Sequence, residues 1–191
     1  MLKRNKIDKN KGFLFFIEGF AGSGKSSIGI KSYKKISALF GSTIIIHGNQ
    51  LRDILNIYGY SKIERKKITY KTRKFIKFII DQNINVIYTV LCLNYNTKSL
   101  YKEKIKNLVE ILIDADVKKI IAKKMKKEIY KLKKNVVGVH IKPEFPKNPD
   151  IVIKNNFDKS VKSLSKELIL KLKRFKNQNK IKKTLNLISK I

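Results

Sequence analysis

A glycine-rich loop near the amino terminus constrains the fold of this chain more than any other feature. Residues 19–26 read G-F-A-G-S-G-K-S and fit the pattern G-x-x-x-x-G-K-[ST]. The apolar run 13–18 precedes the loop, and residues 25–39 follow it with the pattern of a helix. Glycines let backbone N–H groups converge on phosphate oxygens, and the start of a helix adds positive potential. The loop in this setting predicts a nucleotide-binding α/β domain.

The loop residues have predicted roles that follow from this chemistry. Lys25 is expected to reach the β- and γ-phosphates of ATP and to act as a catalytic residue. Ser26 is expected to ligate Mg²⁺, and Ser27 is a second hydroxyl beside it. The full set expected to bind the nucleotide is Gly19, Gly22, Ser23, Gly24, Lys25, Ser26 and Ser27. The sequence therefore predicts ATP and Mg²⁺ as cofactors.

Strand-like and helix-like segments alternate over the rest of the chain, which favours a mostly parallel sheet. The predicted fold class is α/β, a P-loop NTPase-type three-layer fold with a mostly parallel five-stranded sheet flanked by helices. The predicted strands cover residues 13–18, 43–46, 85–91, 108–113 and 150–153. The predicted helices cover residues 25–39, 52–58, 62–82 and 117–134, and a last one starts after residue 158. Within 62–82, the spacing of Phe75, Phe78 and Ile79 predicts a core-facing stripe.

Charge and pattern divide the chain into three regions. Residues 1–11 form a basic amino-terminal extension, residues 12–175 a P-loop kinase domain, and residues 176–191 a basic helical tail. A P-loop domain of this size with little inserted sequence is typical of small-molecule kinases, in which catalysis depends on positioning and charge stabilisation. Residues of about 117–148 are the expected lid, whose basic side chains would close over the phosphates.

The formal net charge of +31 comes from 45 Lys+Arg against 14 Asp+Glu. Such a charge invites a nucleic-acid partner, but AT-rich codons also enrich a sequence in lysine. Because the lysines are scattered through the whole chain, the compositional explanation is favoured, and nucleic acid stays as the alternative partner. In either case the field should attract anionic ligands.

Compartment can be argued from cysteine usage and hydropathy. The single cysteine, Cys92, allows no disulfide within the chain, which fits a reducing compartment. No apolar run approaches the roughly 18–20 residues that cross a bilayer. We therefore expect a cytoplasmic protein without a membrane span.

His47 and Glu18 are two further candidates near the loop. His47 ends the second predicted strand, at the carboxyl edge where ligands bind in open α/β sheets. It could act there as a general base, contact the acceptor phosphate or simply line a pocket. Glu18 directly precedes the loop and could balance the charge of Lys25 or reach the metal through water.

Two later segments add a resemblance to a known family. Residues 135–139, N-V-V-G-V, and residues 146–153, P-K-N-P-D-I-V-I, resemble the end of the lid and the following strand of adenylylsulfate (APS) kinases. Together with the glycine loop, the resemblance covers about residues 12–172. It implies Mg²⁺-dependent transfer of the ATP γ-phosphate to the ribose 3′-hydroxyl of a small anionic nucleotide-like acceptor, adenylylsulfate. A homodimer is a further option that the resemblance implies, because related kinases are often dimers.

The resemblance also implies which residues hold the acceptor. Arg52 matches the arginine of the family's D-G-D-N-x-R segment, and Arg65 matches the arginine of a later D-R pair. Tyr60 stands where the family has an aromatic residue that contacts the acceptor base. Lys127 and Tyr130 match the lysine and the tyrosine of the lid sequence R-D-x-K-G-L-Y. The expected acceptor-binding residues are therefore Arg52, Tyr60, Arg65 and Lys127.

Several positions depart from the family pattern together. The family's D-G-D reads His47-Gly48-Asn49, so Asn49 stands where a carboxylate is expected to organise Mg²⁺ and the attacking hydroxyl. The family's S-P-Y-R segment reads C-L-N-Y at residues 92–95. Asn49 and His47 stay candidate catalytic residues. Three explanations remain open: weaker activity on adenylylsulfate, another acceptor (cytidine diphosphoramidate in capsule modification, or a nucleoside or nucleotide), or a non-catalytic, nucleic-acid-associated ATP-binding module.

Overall fold

The computed structural model describes residues 8, 10–59, 61–91, 95–132 and 135–188. Its strands are β1 (Leu14–Gly19), β2 (Thr43–His47), β3 (Asn85–Leu91), β4 (Leu108–Asp114) and β5 (Ile151–Lys154). They form one sheet in the order β2-β3-β1-β4-β5, and every neighbouring pair is parallel. Parallel neighbours need crossover connections, which helices provide here. The predicted five-stranded parallel sheet is confirmed.

Helices cover both faces of the sheet and complete the three layers. They are α1 (Lys25–Phe40), α2 (Gly48–Ile54), α3 (Lys62–Asp81), α4 (Tyr95–Lys104), α5 (Val117–Ala122), α6 (Lys127–Tyr130) and α7 (Val161–Ile188). On one face, α1 and α7 pack against Phe15 and Ile17 of β1. On the other face, α2, α3 and α4 enclose Leu14 and Phe16 of the same strand. Because β1 lies between β3 and β4, all of its residues are buried.

The predicted apolar stripe of α3 is partly wrong. Phe75 and Phe78 are 45% and 63% exposed, whereas Ile76 and Ile79 are buried. The buried face passes through Thr72, whose fully buried side chain breaks the apolar pattern. A prediction that counts hydrophobic residues alone therefore selects a face of α3 about one residue away from the face that packs against the core.

Two other helical predictions differ from the structure, and one observed helix has no counterpart among the predictions. The helix expected at residues 52–58 is instead α2, which begins earlier at Gly48. The helix expected at 117–134 is divided into α5 and α6, because Lys124 and Lys126 adopt left-handed backbone conformations with φ of 53° and 52°. No pattern in the sequence indicates α4, whose residues are mostly polar. Its Tyr101 is nevertheless 1% exposed, with its ring centroid 5.1 Å from that of Phe16.

Within the described ranges, no helix combines the length and the apolar character that a bilayer span requires.

Candidate active site

A cavity of about 580 Å³ lies at the carboxyl edge of the sheet, beside the glycine loop. The ends of β2 and β3 contribute to it, and further walls come from α2, α3 and residues within 126–132 and 135–137. From the loop side it is lined by Ala21, Gly22, Lys25 and Ser26. The carboxyl ends of parallel strands meet at one edge, so residues far apart in sequence share this cavity.

Glycine is required in the loop by backbone conformation and by close packing. Gly22 and Gly24 have φ of 79° and 95°, a region that side chains with a Cβ rarely adopt. Gly24 is also the N-cap of α1, so the positive end of this helix begins at the cavity. A Cβ on Gly22 would lie 2.9 Å from Cγ2 of Ile120, and a Cβ on Gly19 would lie 2.6 Å from the carbonyl oxygen of Ile113.

Two side chains from other elements hold the carbonyl groups of the loop. The Asn155 amide, just after β5, donates to the Ser23 carbonyl at 3.0 Å. The Tyr130 hydroxyl of α6 donates to the Ala21 carbonyl at 2.8 Å, and burial raises the pKa of Tyr130 to about 12. Both carbonyl oxygens therefore have donors of their own, which reduces their repulsion of an incoming phosphate.

Lys25 lies against the loop that it is predicted to serve. Its side chain is 9% exposed, and Nζ donates to the Phe20 carbonyl at 2.5 Å. Lys25 also lines the cavity, so a phosphate oxygen arriving there would offer the ammonium group a charged acceptor in place of a neutral one.

The serines expected to bind the nucleotide take different positions. Ser26 is exposed and lines the cavity, whereas Ser27 is exposed outside the lining. Ser23 is fully buried within the loop. Among the described residues that line the cavity there is no aspartate or glutamate. A magnesium ion there would fit the Ser26 hydroxyl as a protein ligand, with nucleotide phosphates and water completing its shell.

His47 and Thr89 form a hydrogen-bonded pair at the cavity. His47 Nδ1 lies 2.6 Å from Oγ1 of Thr89, and the same hydroxyl lies 3.4 Å from Oγ of Ser26. Burial lowers the pKa of His47 from its ordinary value of 6.5, so the ring favours its neutral form. The sequence reasoning missed Thr89. Its only signal was a hydroxyl near the carboxyl end of an otherwise apolar strand.

The acceptor-side residues that the resemblance implied are only partly brought together. Asn49, Arg52 and Arg65 line the cavity together with His47. Lys127, the first residue of α6, is exposed and does not line it, whereas its neighbour Lys126 does. Tyr60 lies outside the described residues, as does most of the C-L-N-Y segment.

Both arginines also hold backbone around the cavity. Arg52 Nη1 donates to the carbonyl groups of Ile57 at 3.1 Å and Gly59 at 2.8 Å. Arg65 Nη2 donates to the Asn135 carbonyl at 3.0 Å and so connects α3 with a segment after α6. The two arginines thus hold two separate backbone segments beside the cavity that both residues line.

Glu18 has a partner that the sequence did not indicate. Lys98 of α4 lies with Nζ 3.4 Å from Glu18 Oε2, and the two side chains are 4% and 0% exposed. Lys98 also donates to the Glu144 carbonyl. This buried pair joins β1, directly before the loop, to α4 and to the segment that leads to β5. Neither residue lines the cavity.

The family model and the similar proteins point to the same family. The family model described as adenylylsulphate kinase matches residues 11–154. A cytidine diphosphoramidate kinase of Campylobacter jejuni is 34% identical over 170 residues, which are 85% of this chain and 99% of that protein. An adenylyl-sulfate kinase of Clostridium kluyveri is 27% identical over 162 residues, which are 81% of each chain.

Solved structures give the same fold. The structure of a Mycobacterium tuberculosis APS kinase in complex with AMPPNP and APS has a TM-score of 0.76 and 21% sequence identity. The match covers 85% of this chain and 98% of that chain. At this identity the similarity supports the P-loop fold and its strand order.

Proposed function

Because the chain belongs to the adenylylsulphate kinase family, it is a phosphotransferase, and we propose that it transfers the γ-phosphoryl group of ATP to a hydroxyl of a nucleotide-linked acceptor. The observation that carries the proposal is a shared cavity. The loop residues Lys25 and Ser26 open onto the same space as Asn49, Arg52 and Arg65. Donor and acceptor sites side by side are what an in-line transfer needs.

The donor side works through positioning and charge. The loop N–H groups and the start of α1 hold the phosphates, and Lys25 contacts the oxygens that gain charge as the bond breaks. Mg²⁺, when bound with ATP, neutralises charge on the β- and γ-phosphates. Ser26 is its proposed protein ligand, because it is the loop serine that lines the cavity.

Loss of the family's two aspartates is compatible with this activity. Phosphoryl transfer passes through a loose transition state that requires little deprotonation of the attacking hydroxyl. Asn49 lies exposed in the first turn of α2, where its amide can accept a hydrogen bond from that hydroxyl. His47 lies next to it, at the end of β2. Both residues are proposed to orient reactants, which is the larger part of catalysis here.

Cytidine diphosphoramidate is the acceptor that we propose, ahead of adenylylsulfate. Identity is 34% to the cytidine diphosphoramidate kinase and 27% to an adenylyl-sulfate kinase. The resemblance assigns the departures at Asn49 and at residues 92–95 to positions that serve the acceptor or the metal, whereas the loop that holds ATP keeps the full motif. Departures outside an intact loop suit a changed acceptor and an unchanged donor.

A comparison of acceptors tests the choice. Purified protein with ATP and Mg²⁺ would be given adenylylsulfate, cytidine diphosphoramidate, thymidine and TMP in separate reactions, and kcat/KM would be measured for each. The expected result is a kcat/KM for cytidine diphosphoramidate at least tenfold above that for adenylylsulfate. The opposite ranking would overturn the acceptor assignment but keep the kinase.

A further inference from the structure

Thr89 lies near the end of β3, between the glycine loop and His47, and is 3% exposed. In the sheet it is in register with Ile17 of β1 on one side and with His47 of β2 on the other. Residues in register on parallel strands point to the same face, which here is the face that α1 covers. The side chains of His47 and Thr89 are therefore neighbours under the first turns of α1.

Gly29 of α1 helps to fix the orientation of the Thr89 side chain. A Cβ on Gly29 would lie 3.2 Å from Cγ2 of Thr89, so the helix approaches directly over this methyl group. A β-branched side chain has few χ1 choices. With the methyl group against the helix, the hydroxyl is directed to His47 and Ser26, at 2.6 Å and 3.4 Å.

The number of protons on Ser26, Thr89 and His47 limits which hydrogen bonds these three side chains can form at the same time. A threonine hydroxyl has one proton to donate and can accept two hydrogen bonds. Thr89 therefore cannot donate to Ser26 and to His47 at the same time. A neutral imidazole has one protonated nitrogen, and the bond at one nitrogen decides the state of the other.

We propose that Thr89 is a positioning residue in a hydrogen-bond relay: its hydroxyl accepts a hydrogen bond from Ser26 and donates one to Nδ1 of His47. His47 then presents Nε2–H to the cavity when nucleotide and Mg²⁺ are bound. A serine oxygen that ligates a cation keeps its proton and becomes a better donor. Thr89 accepts that bond and donates its own proton to Nδ1. The proton of the neutral ring then lies on Nε2.

The consequence is a specific role for His47. With the proton on Nε2, the ring donates a hydrogen bond to a phosphoryl or acceptor oxygen, and it does not remove the proton of the attacking hydroxyl. His47 thus takes over charge stabilisation at a position where the family has an acid. The hydrogen bond from Nε2–H to a phosphoryl or acceptor oxygen rests on the proposed function. The relay from Ser26 through Thr89 to His47 depends only on binding of nucleotide and metal at the loop.

The tautomer of His47 can be measured directly by nitrogen NMR. The chain has two histidines, so histidine-labelled protein gives two rings, which His140→Gln would assign. The sample would be the full chain with Mg²⁺ and AMPPNP at neutral pH. The expected spectrum has the His47 proton on Nε2 and an unprotonated Nδ1 shifted by its hydrogen bond. A proton on Nδ1 in this complex would overturn the relay.

Variants of Thr89 separate the relay from simple packing. Thr89→Val keeps the shape and removes the hydroxyl, so the Nδ1 resonance should move to the position of an imidazole without this bond. Thr89→Ser restores the hydroxyl and should restore the resonance, and it also serves if the valine variant folds poorly. An Nδ1 resonance that is the same in the native chain and in a folded Thr89→Val would contradict the proposal.

Kinetics give a second readout. His47→Gln retains a donor near Nε2 and should keep phosphoryl transfer within about tenfold, whereas His47→Leu should lose about 100-fold, as for a lost charge-stabilising donor. Equal losses in both variants would contradict the donor role. If no acceptor were phosphorylated at all, the NMR result would still decide the relay, so the two proposals fail separately.

Discussion

His47 lines the cavity, and histidine is the side chain whose ordinary pKa lies closest to neutral pH. Burial lowers its pKa from 6.5, so the folded ring stays neutral to a lower pH than an unfolded one. As the pH falls below about 6.5, the unfolded chain binds this proton first, and the contribution of His47 to the free energy of unfolding declines. NMR titration of the ring should give a midpoint below 6.5. A midpoint at or above that value would contradict the burial seen at this site.

Lys98 provides a second prediction at the scale of single residues. Lys98→Met removes the ammonium from a fully buried carboxylate, and loss of one member of a buried ion pair costs about 3–5 kcal/mol. Chemical denaturation should show a fall of this size in the free energy of unfolding. The double variant Glu18→Gln with Lys98→Met should recover part of it, because no buried charge is left.

Surface lysines give the matching control for Lys98. Lys77 pairs with Asp81 and both side chains are exposed, 42% and 36%, so Lys77→Met should cost far less. Equal losses at Lys98 and Lys77 would mean that burial of the first pair has little energetic importance.

Residues of the site were predictable where the chemistry is local in sequence. The motif of residues 19–26 indicates Lys25 and Ser26 without any tertiary knowledge, and the structure places both at the cavity. Thr89 and Lys98 could not be predicted in the same way. Their partners lie more than 40 residues away, and the pairings depend on strand register and on the placement of α4.

The predicted lid includes α6, whose attachment to the glycine loop can be tested. The hydroxyl of Tyr130 in α6 donates to the Ala21 carbonyl, and a typical hydrogen bond contributes about 0.5–1.5 kcal/mol. Tyr130→Phe should loosen the segment that joins α5 and α6, which is rich in lysine. Limited trypsin digestion of the protein without nucleotide should therefore cut residues 123–131 faster than in the native chain.

An exposed tyrosine offers a matched control for the lid experiment. Tyr58 is 63% exposed, and its hydroxyl donates to Asn56 at the surface. Tyr58→Phe should leave the digestion pattern of the lid unchanged. If both variants, or neither, increased cutting in the lid, the contact between Tyr130 and the loop would not be what holds α6.

Strands and helices were predictable where nearly all of their side chains are buried, and not where buried and exposed side chains are mixed. The buried strands β1, β3 and β4 are mostly apolar runs with single polar residues such as Thr89 and Glu110, so the sequence indicates them clearly. In contrast, α4 presents few apolar residues, and left-handed residues divide the predicted lid helix into α5 and α6. Met125 and Ile120 lie close to Gly22 beside this break, a long-range contact that no local pattern reveals.

For the whole molecule, the net charge of +31 predicts salt-dependent kinetics. Long-range attraction of anionic substrates is screened as the Debye length shortens, for example between about 0.05 M and 0.5 M salt. The KM values for ATP and for the acceptor should rise over this range, while kcat changes less. KM values that do not respond to salt would show that the charge has no part in substrate capture.

Oligonucleotide binding provides the complementary measurement at this scale. A steep decline of affinity with salt, starting from tight binding, would favour a nucleic-acid partner as the reason for the charge. Weak binding without sequence preference would favour composition as its origin.

Transfer of label from γ-labelled ATP shows directly whether the loop and the acceptor side form one kinase site. The reaction would contain Mg²⁺ and cytidine diphosphoramidate, and Lys25→Ala would be compared with Lys31→Ala, an exposed lysine on the same helix. We expect a labelled acceptor with the native chain and with Lys31→Ala, and a loss of at least about 100-fold with Lys25→Ala. Unlabelled acceptors from the whole panel, with ATP still bound to the native chain, would contradict the proposed kinase site.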